Sequence, residues 1–323
     1  MSELTEDDDT ATAVWHRDEG GQGGVETPVK KIVVFSLLFY LEKDMLTFEL
    51  AIRRVNHCGV RMRGRKAFTL IELLVVIAII ALLMAILMPA LQRVKNQAKG
   101  TICVQNLRTL SLGWFMYKDD HDDKIVGGFP ERENDEPWVK GPKGNHPDPI
   151  EQKKEGIRQG LLYPYVGKTV DVYRCPADHR KLMPGQYAFR SYSIAGGMNG
   201  VNKNGGWEIY PIIRYSEIKN PATKYVFLEE ADIRGWNQGS WVMRPRSRQW
   251  VDPFAIWHSR SRSSLGWADG HAEMHRWLGK SLIEWCKLAC EEPGQFSFYR
   301  TPAEDEREDF AFMLRGYAYR ALQ

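Results

Sequence analysis

The stretch GRKAFTLIELLVVIAIIALLMAILMPAL, residues 64–91, constrains this chain more than any other. Residues 73–88 are an unbroken run of 16 apolar side chains, and from Ala67 to Leu91 only Thr69, Glu72 and Pro89 depart from that character. A helix that crosses a bilayer needs about 20 predominantly apolar residues. The run therefore predicts a single transmembrane helix over residues 68–91. Arg61, Arg63, Arg65 and Lys66 crowd its N-terminal side. Basic residues gather on the cytoplasmic flank of such helices, so the N-terminus is expected inside and everything after Leu91 outside. A buried core helix and a cleaved secretory signal are the competing readings. The basic flank argues against the first, and the direct passage of the run into a polar helix argues against the second.

Apolar residues continue at mostly helical spacings, through Leu91, Val94, Ala98 and Ile102 and then Val104, Leu107, Leu110, Leu112 and Phe115, as on one face of a helix. Residues 92–118 are thus an amphipathic continuation. The whole helix, 68–117, would be about 75 Å long at about 1.5 Å per residue. Its end is expected at the DDHDD of residues 119–123.

Beyond it the pattern changes. Residues 129–160 are rich in Pro, Gly and charge and read as a loop. Short apolar runs follow: LLYPYV, VDVYRCP, SYSIAGG, WEIYPIIRY, KYVFLEEA and SLGWADGHAEMHRWL. These read as strands of an antiparallel sheet. In the last, Asp269-Gly270 predicts a two-residue hairpin turn. A helix is expected over 278–290. The layout is α+β, with a β-rich globular domain over 119–300 and a helical tail over 301–323. Residues 1–61 are either disordered, as the acidic and Gly-rich composition of residues 1–31 suits, or lie upstream of a translation start at Met62.

The net charge is only +3, with 44 Lys and Arg against 41 Asp and Glu, so no nucleic-acid partner is expected. Motifs for nucleotide, flavin or zinc-protease chemistry are missing, and no cofactor is expected. Asp269, His271, Glu273 and His275 are the metal ligands that the hairpin offers; their competing reading is a solvent-facing strand edge. Eight tryptophans between Trp207 and Trp285 read either as core or as a binding platform. Disulfides persist outside the cytoplasm, which allows a bridge between Cys103 on the helix and Cys175 at a strand end. Cys286 and Cys290, four apart on a helix, are expected to be free thiols.

The residues RGRKAFTLIELLVVIAIIALLMAILMP resemble the N-terminus of bacterial type IV prepilins and type II secretion pseudopilins. That resemblance implies a pilin-like fold, a long helix packed on an antiparallel sheet. It also implies cleavage by a prepilin peptidase between Ala67 and Phe68, and N-methylation of Phe68. Ala67 stands where the family usually has Gly. Starting at Met62, the leader would be the six residues MRGRKA. Glu72 is then implied to pair with the terminal amine of a neighbouring subunit, and Pro89 to kink the helix. The segments CVQNLRTLSLGWFMYKDDHDDK and LLYPYVGKTVDVYRCPAD are similar to prepilin-like proteins. So is HSRSRSSLGWADGHAEMHRW, whose His258, Asp269 and Gly270 match a His-x9-Asp-Gly element with one extra residue between. The expected function is a structural subunit of a pilus or secretion pseudopilus. It would be held in the inner membrane by one span, with its C-terminal domain outside. The expected partners are other pilin-like subunits, the peptidase and membrane lipid. Two other readings stay open: a tethered protein that binds a glycan or protein ligand, and a metal-dependent enzyme.

Overall fold

The computed structural model describes residues 69–130, 136–201, 206–235, 237 and 239–321. The leader, Ala67, Phe68, Trp236 and residues 1–61 lie outside the described residues. The chain divides into two compact units, residues 1–74 and 75–323.

In the first unit the described residues form the start of helix α1, Leu70–Asp120. Thr69 caps it. The Glu72 backbone N–H donates to Thr69 Oγ1 at 3.2 Å, and the Thr69 N–H donates to Glu72 Oε2 at 2.9 Å. This reciprocal pair is a capping box, which satisfies two of the orphan donors at a helix start.

In the second unit α1 continues, and its apolar half packs on nothing among the described residues. Leu82, Leu83, Ile86, Leu87 and Leu91 are all exposed. From Gly100 onward one face is buried, through Cys103, Leu107, Leu110, Trp114 and Tyr117. Their spacing of four, three, four and three is a single helical stripe. The sequence pattern places Ile102 and Leu112 on this face, yet both are exposed. Aromatic Trp114 and Tyr117 set the phase instead, because they bring the largest apolar area to the core. The helix ends as expected: Asp122 and Asp123 turn to positive φ, and the Asp123 N–H donates back to the Lys118 carbonyl.

The sheet has four antiparallel strands in the order β1-β3-β6-β7. These are β1 Tyr192–Ile194, β3 Tyr225–Glu229, β6 Arg262–Trp267 and β7 Ala272–Arg276. Two short pairs flank it: β2 Ile209–Tyr210 with β8 Arg320–Ala321, and β4 Met243–Arg244 with β5 Gln249–Trp250. The long helix with an antiparallel sheet is the expected α+β, pilin-like arrangement.

One face of the sheet lies against α1. At Gly266 of β6, a Cβ would come 2.4 Å from Ser111 Oγ and 3.3 Å from the Leu107 carbonyl. Only glycine lets the strand and helix backbones approach this closely. The opposite face carries the tryptophan-rich core, with Trp241, Trp250 and Trp277 fully buried. It is closed by helices α3, Lys280–Glu291, and α4, Arg307–Gly316. Phe310, Met313 and Tyr317 are buried, so one face of α4 and the residue after it belong to this core.

Three local readings change. LLYPYV and VDVYRCP hold 3-10 turns, Tyr163–Val166 and Asp171–Tyr173, rather than strands. Pro164 fixes the first turn and left-handed Gly167 ends it. Within 129–160 lies helix α2, Pro149–Arg158, capped by the Asp148 carboxylate with proline in the first turn. In the β6–β7 hairpin only Gly270 has positive φ, and the Gly270 N–H donates to the Trp267 carbonyl. The turn is therefore a three-residue loop ending in a left-handed glycine, not a two-residue one.

Candidate functional site

Two regions combine residues that sequence reasoning singles out. The first is the apolar half of α1. It carries Glu72, bound to Thr69 as above, and Pro89 inside an unbroken helix. Among the described residues, α1 alone is long and apolar enough to cross a membrane.

The second region is a polar cluster in the core. Cys103 projects from the buried stripe of α1. Cys175 follows the second 3-10 turn, Glu229 ends β3, and His258 precedes β6. Glu229 Oε1 gathers three donors: Cys103 Sγ at 2.7 Å, His258 Nε2 at 2.9 Å and Ser264 Oγ at 2.9 Å. The Ser264 N–H reaches Oε2 at 3.3 Å. Cys175 Sγ lies 3.4 Å from His258 Nε2 and accepts the Ala177 N–H at 3.3 Å. The Tyr192 hydroxyl lies 2.9 Å from Cys103 Sγ. Cys103, Cys175 and Glu229 have no solvent exposure, and His258 is 4% exposed.

Electrostatics follow from this burial. Burial pushes the Cys103 thiol well above its ordinary value, helped by its hydrogen bond to Cys175 and by the Glu229 charge. Burial pushes the Tyr192 hydroxyl up in the same way. For His258 burial acts downward, but its hydrogen bonds to Cys175 and Glu229, with the Glu229 charge, hold the imidazole up at about 10. Burial thus keeps the Cys103 thiol neutral, and the contact with Glu229 favours the charged form of the His258 imidazole.

Cys103 and Cys175, singled out as a candidate bridge, meet here as free thiols. His258 joins them, while Asp269 pairs locally with His271, Oδ1 to Nδ1 at 2.5 Å. The hairpin ligands do not converge. Glu273 is exposed, and His275 stacks face to face on Phe312, with ring centroids 3.9 Å apart. The expectation that His275 faces solvent is corrected, because α4 covers that side of β7. Among the described residues, the grouping that does converge is Cys103, Cys175, Glu229 and His258. Glu229 escapes sequence reasoning. It ends an apolar run, where an acid reads as a solvated strand end. Trp241, Trp250, Trp257, Trp267, Trp277 and Trp285 are all buried, so they pack the core and form no exposed platform.

Comparison with known proteins bears on the first region. Residues 62–88 match the family model of the prokaryotic N-terminal methylation motif. Type II secretion system core protein G of Pseudomonas aeruginosa is 31% identical over 153 residues, 45% of this chain and 97% of that protein. The type IV wide pilus major component PilA4 of Thermus thermophilus is 44% identical over 61 residues, 19% of this chain and 47% of that protein. No solved structure matches.

Proposed function

This chain belongs to the pilin and pseudopilin family, as a membrane-anchored structural subunit of a pilus or pseudopilus, and from that premise we propose how it is processed and assembled. A prepilin peptidase cuts between Ala67 and Phe68, and Phe68 is then N-methylated. The basic residues Arg63, Arg65 and Lys66 stay on the cytoplasmic side, and the domain from residue 92 lies outside the inner membrane. The subunit waits in the lipid until it joins other pilin-like subunits through α1.

The observation that carries this reading is the exposed apolar half of α1, which starts at the matched motif. Lipid covers such a surface before assembly, and neighbouring helices cover it afterwards. A carboxylate within the apolar part of a bilayer helix is costly and usually faces a partner. Cleavage creates that partner. The new α-amino group has a reference pKa of about 7.7–8.0 and is mostly charged at neutral pH. Glu72 stands four residues after it and sets the register against a neighbour's amine.

Mass spectrometry of the N-terminal peptide of protein extracted from membranes tests the proposal. Methylated Phe68 is the expected terminus. A mature chain that retains Met62–Ala67 would overturn the processing step.

A further inference from the structure

Four segments far apart in sequence each deliver one ligand atom to a single point beneath α1. The Sγ atoms of Cys103 and Cys175, a carboxylate oxygen of Glu229 and a ring nitrogen of His258 all lie within 4.8 Å of one another. We propose that these four side chains bind one structural zinc ion, which ties helix α1 to the sheet.

The donor set selects the ion. Two thiolates, an imidazole and a carboxylate suit zinc, whereas calcium and magnesium require oxygen ligands. Zinc–sulfur bonds of about 2.3 Å and zinc–nitrogen or zinc–oxygen bonds of about 2.0–2.2 Å put tetrahedral ligands about 3.3–3.8 Å apart. Cys175 Sγ and His258 Nε2 already stand at 3.4 Å. The contacts of Glu229 with Cys103 and His258, at 2.7 and 2.9 Å, need to open by less than about 1 Å. Four protein ligands leave no open position, so the site is structural rather than catalytic.

The surroundings suit the charge. Binding expels the two thiol protons and the Nε2 proton. Three anionic ligands and one divalent ion then leave one net negative charge. Donors already face it: the Tyr192 hydroxyl at Cys103 Sγ, the Ala177 N–H at Cys175 Sγ, and the Ser264 hydroxyl and N–H at Glu229. Such outer donors orient metal ligands and tune their basicity. A disulfide would use the two sulfurs and leave the convergence of Glu229 and His258 without a purpose. Of the four ligands His258 lines a groove between α1 and β7, with Asn96, Gly100, Val104, Arg262 and Met274, so the cluster lies one side chain from this opening. The zinc site does not rest on the filament reading, and either can fail alone.

The test uses the full chain in detergent, with thiols trapped at lysis in one aliquot and kept reduced in another. Elemental analysis of the reduced protein should find one zinc per chain. Cobalt substitution should give thiolate-to-cobalt charge-transfer absorption with tetrahedral ligand-field bands. Cys175→Ala should abolish that spectrum, and Cys286→Ala should leave it intact. Ser264→Ala keeps all four ligands and should still fold; it should weaken metal affinity by about 10-fold or more. The proposal is overturned if reduced, folded wild type takes up neither zinc nor cobalt. Metal binding that survives Cys175→Ala, or a Cys103–Cys175 disulfide in the trapped aliquot, would overturn it equally.

Discussion

Cys103 Sγ donates to Glu229 Oε1 at 2.7 Å, and this contact fastens helix α1 to an interior strand of the sheet. The same carboxylate accepts from His258 and Ser264. Glu229→Ala leaves all of these buried donors without their acceptor. Breaking a buried charged pair on one side typically costs about 3–5 kcal/mol. Glu229→Gln keeps the shape and one acceptor oxygen and should cost clearly less. Urea unfolding of the full chain in detergent, followed by tryptophan fluorescence, measures both. Losses under about 1 kcal/mol for each variant would remove Glu229 from the fastening.

Gly266 sets how closely that helix lies on the sheet. Gly266→Ala puts a methyl group against Ser111 Oγ and should destabilise by about 1–3 kcal/mol, the usual range for overpacking. Ser111→Ala removes the nearest atom, so the double variant should recover part of the loss. The Leu107 carbonyl remains in the way, and full recovery is not expected. A double-mutant cycle on thermal unfolding gives the coupling. Purely additive losses would mean that the two backbones can separate freely.

Glu72 does two separable jobs in the proposed assembly: it closes the capping box with Thr69, and it carries the charge that a neighbour's amine would meet. Glu72→Gln preserves the cap, since an amide oxygen still accepts from the Thr69 N–H. Glu72→Ala loses both. If charge pairing sets the register, each variant should insert in the membrane normally and fail to enter filaments. Shearing filaments from cells and comparing them with the membrane fraction gives the readout. Filaments built at wild-type levels from Glu72→Gln would assign the residue to capping alone.

Much of this architecture is legible in the sequence because it depends on local pattern. The apolar run and the acid-rich helix end each act over a few residues. Helix α2 is equally available, through Asp148 and Pro149, but charge density makes its segment read as loop. The stripe of α1 reads out of phase because Trp114 and Tyr117 matter only once a core exists to receive them. The polar cluster is least legible. Cys103, Cys175, Glu229 and His258 carry no spacing signature, since four different segments supply them and the tertiary fold alone brings them together. Even the matching His258 and Asp269 diverge. The first is buried under α1, and the second sits on the exposed hairpin loop.

His275 makes the last prediction, on pH. Burial holds its imidazole down at about 4, against an ordinary value of 6.5. Its Nε2 is buried without a hydrogen-bond partner among the described residues, and its ring lies flat on Phe312. Protonation is therefore easier in the unfolded chain. Between about 6.5 and 4 the unfolded state binds more protons, so stability must fall as pH falls. The neutral ring's contribution is complete above about 6.5 and is lost as pH drops through about 4. A tenfold difference in proton affinity between the folded and unfolded chains corresponds to about 1.4 kcal/mol. Screening at this half-buried ring reduces the effect to about 1–2 kcal/mol in all. Phenylalanine keeps the stack and cannot titrate. Glu230 and Asp252, which burial raises to about 8 and about 7, titrate in wild type and variant alike. The difference between wild type and His275→Phe thus isolates the histidine. Urea unfolding at stepped pH should show the two stabilities diverging below about 6.5, with the variant the less acid-sensitive. Parallel curves down to pH of about 4 would place a charged, solvated imidazole at this position.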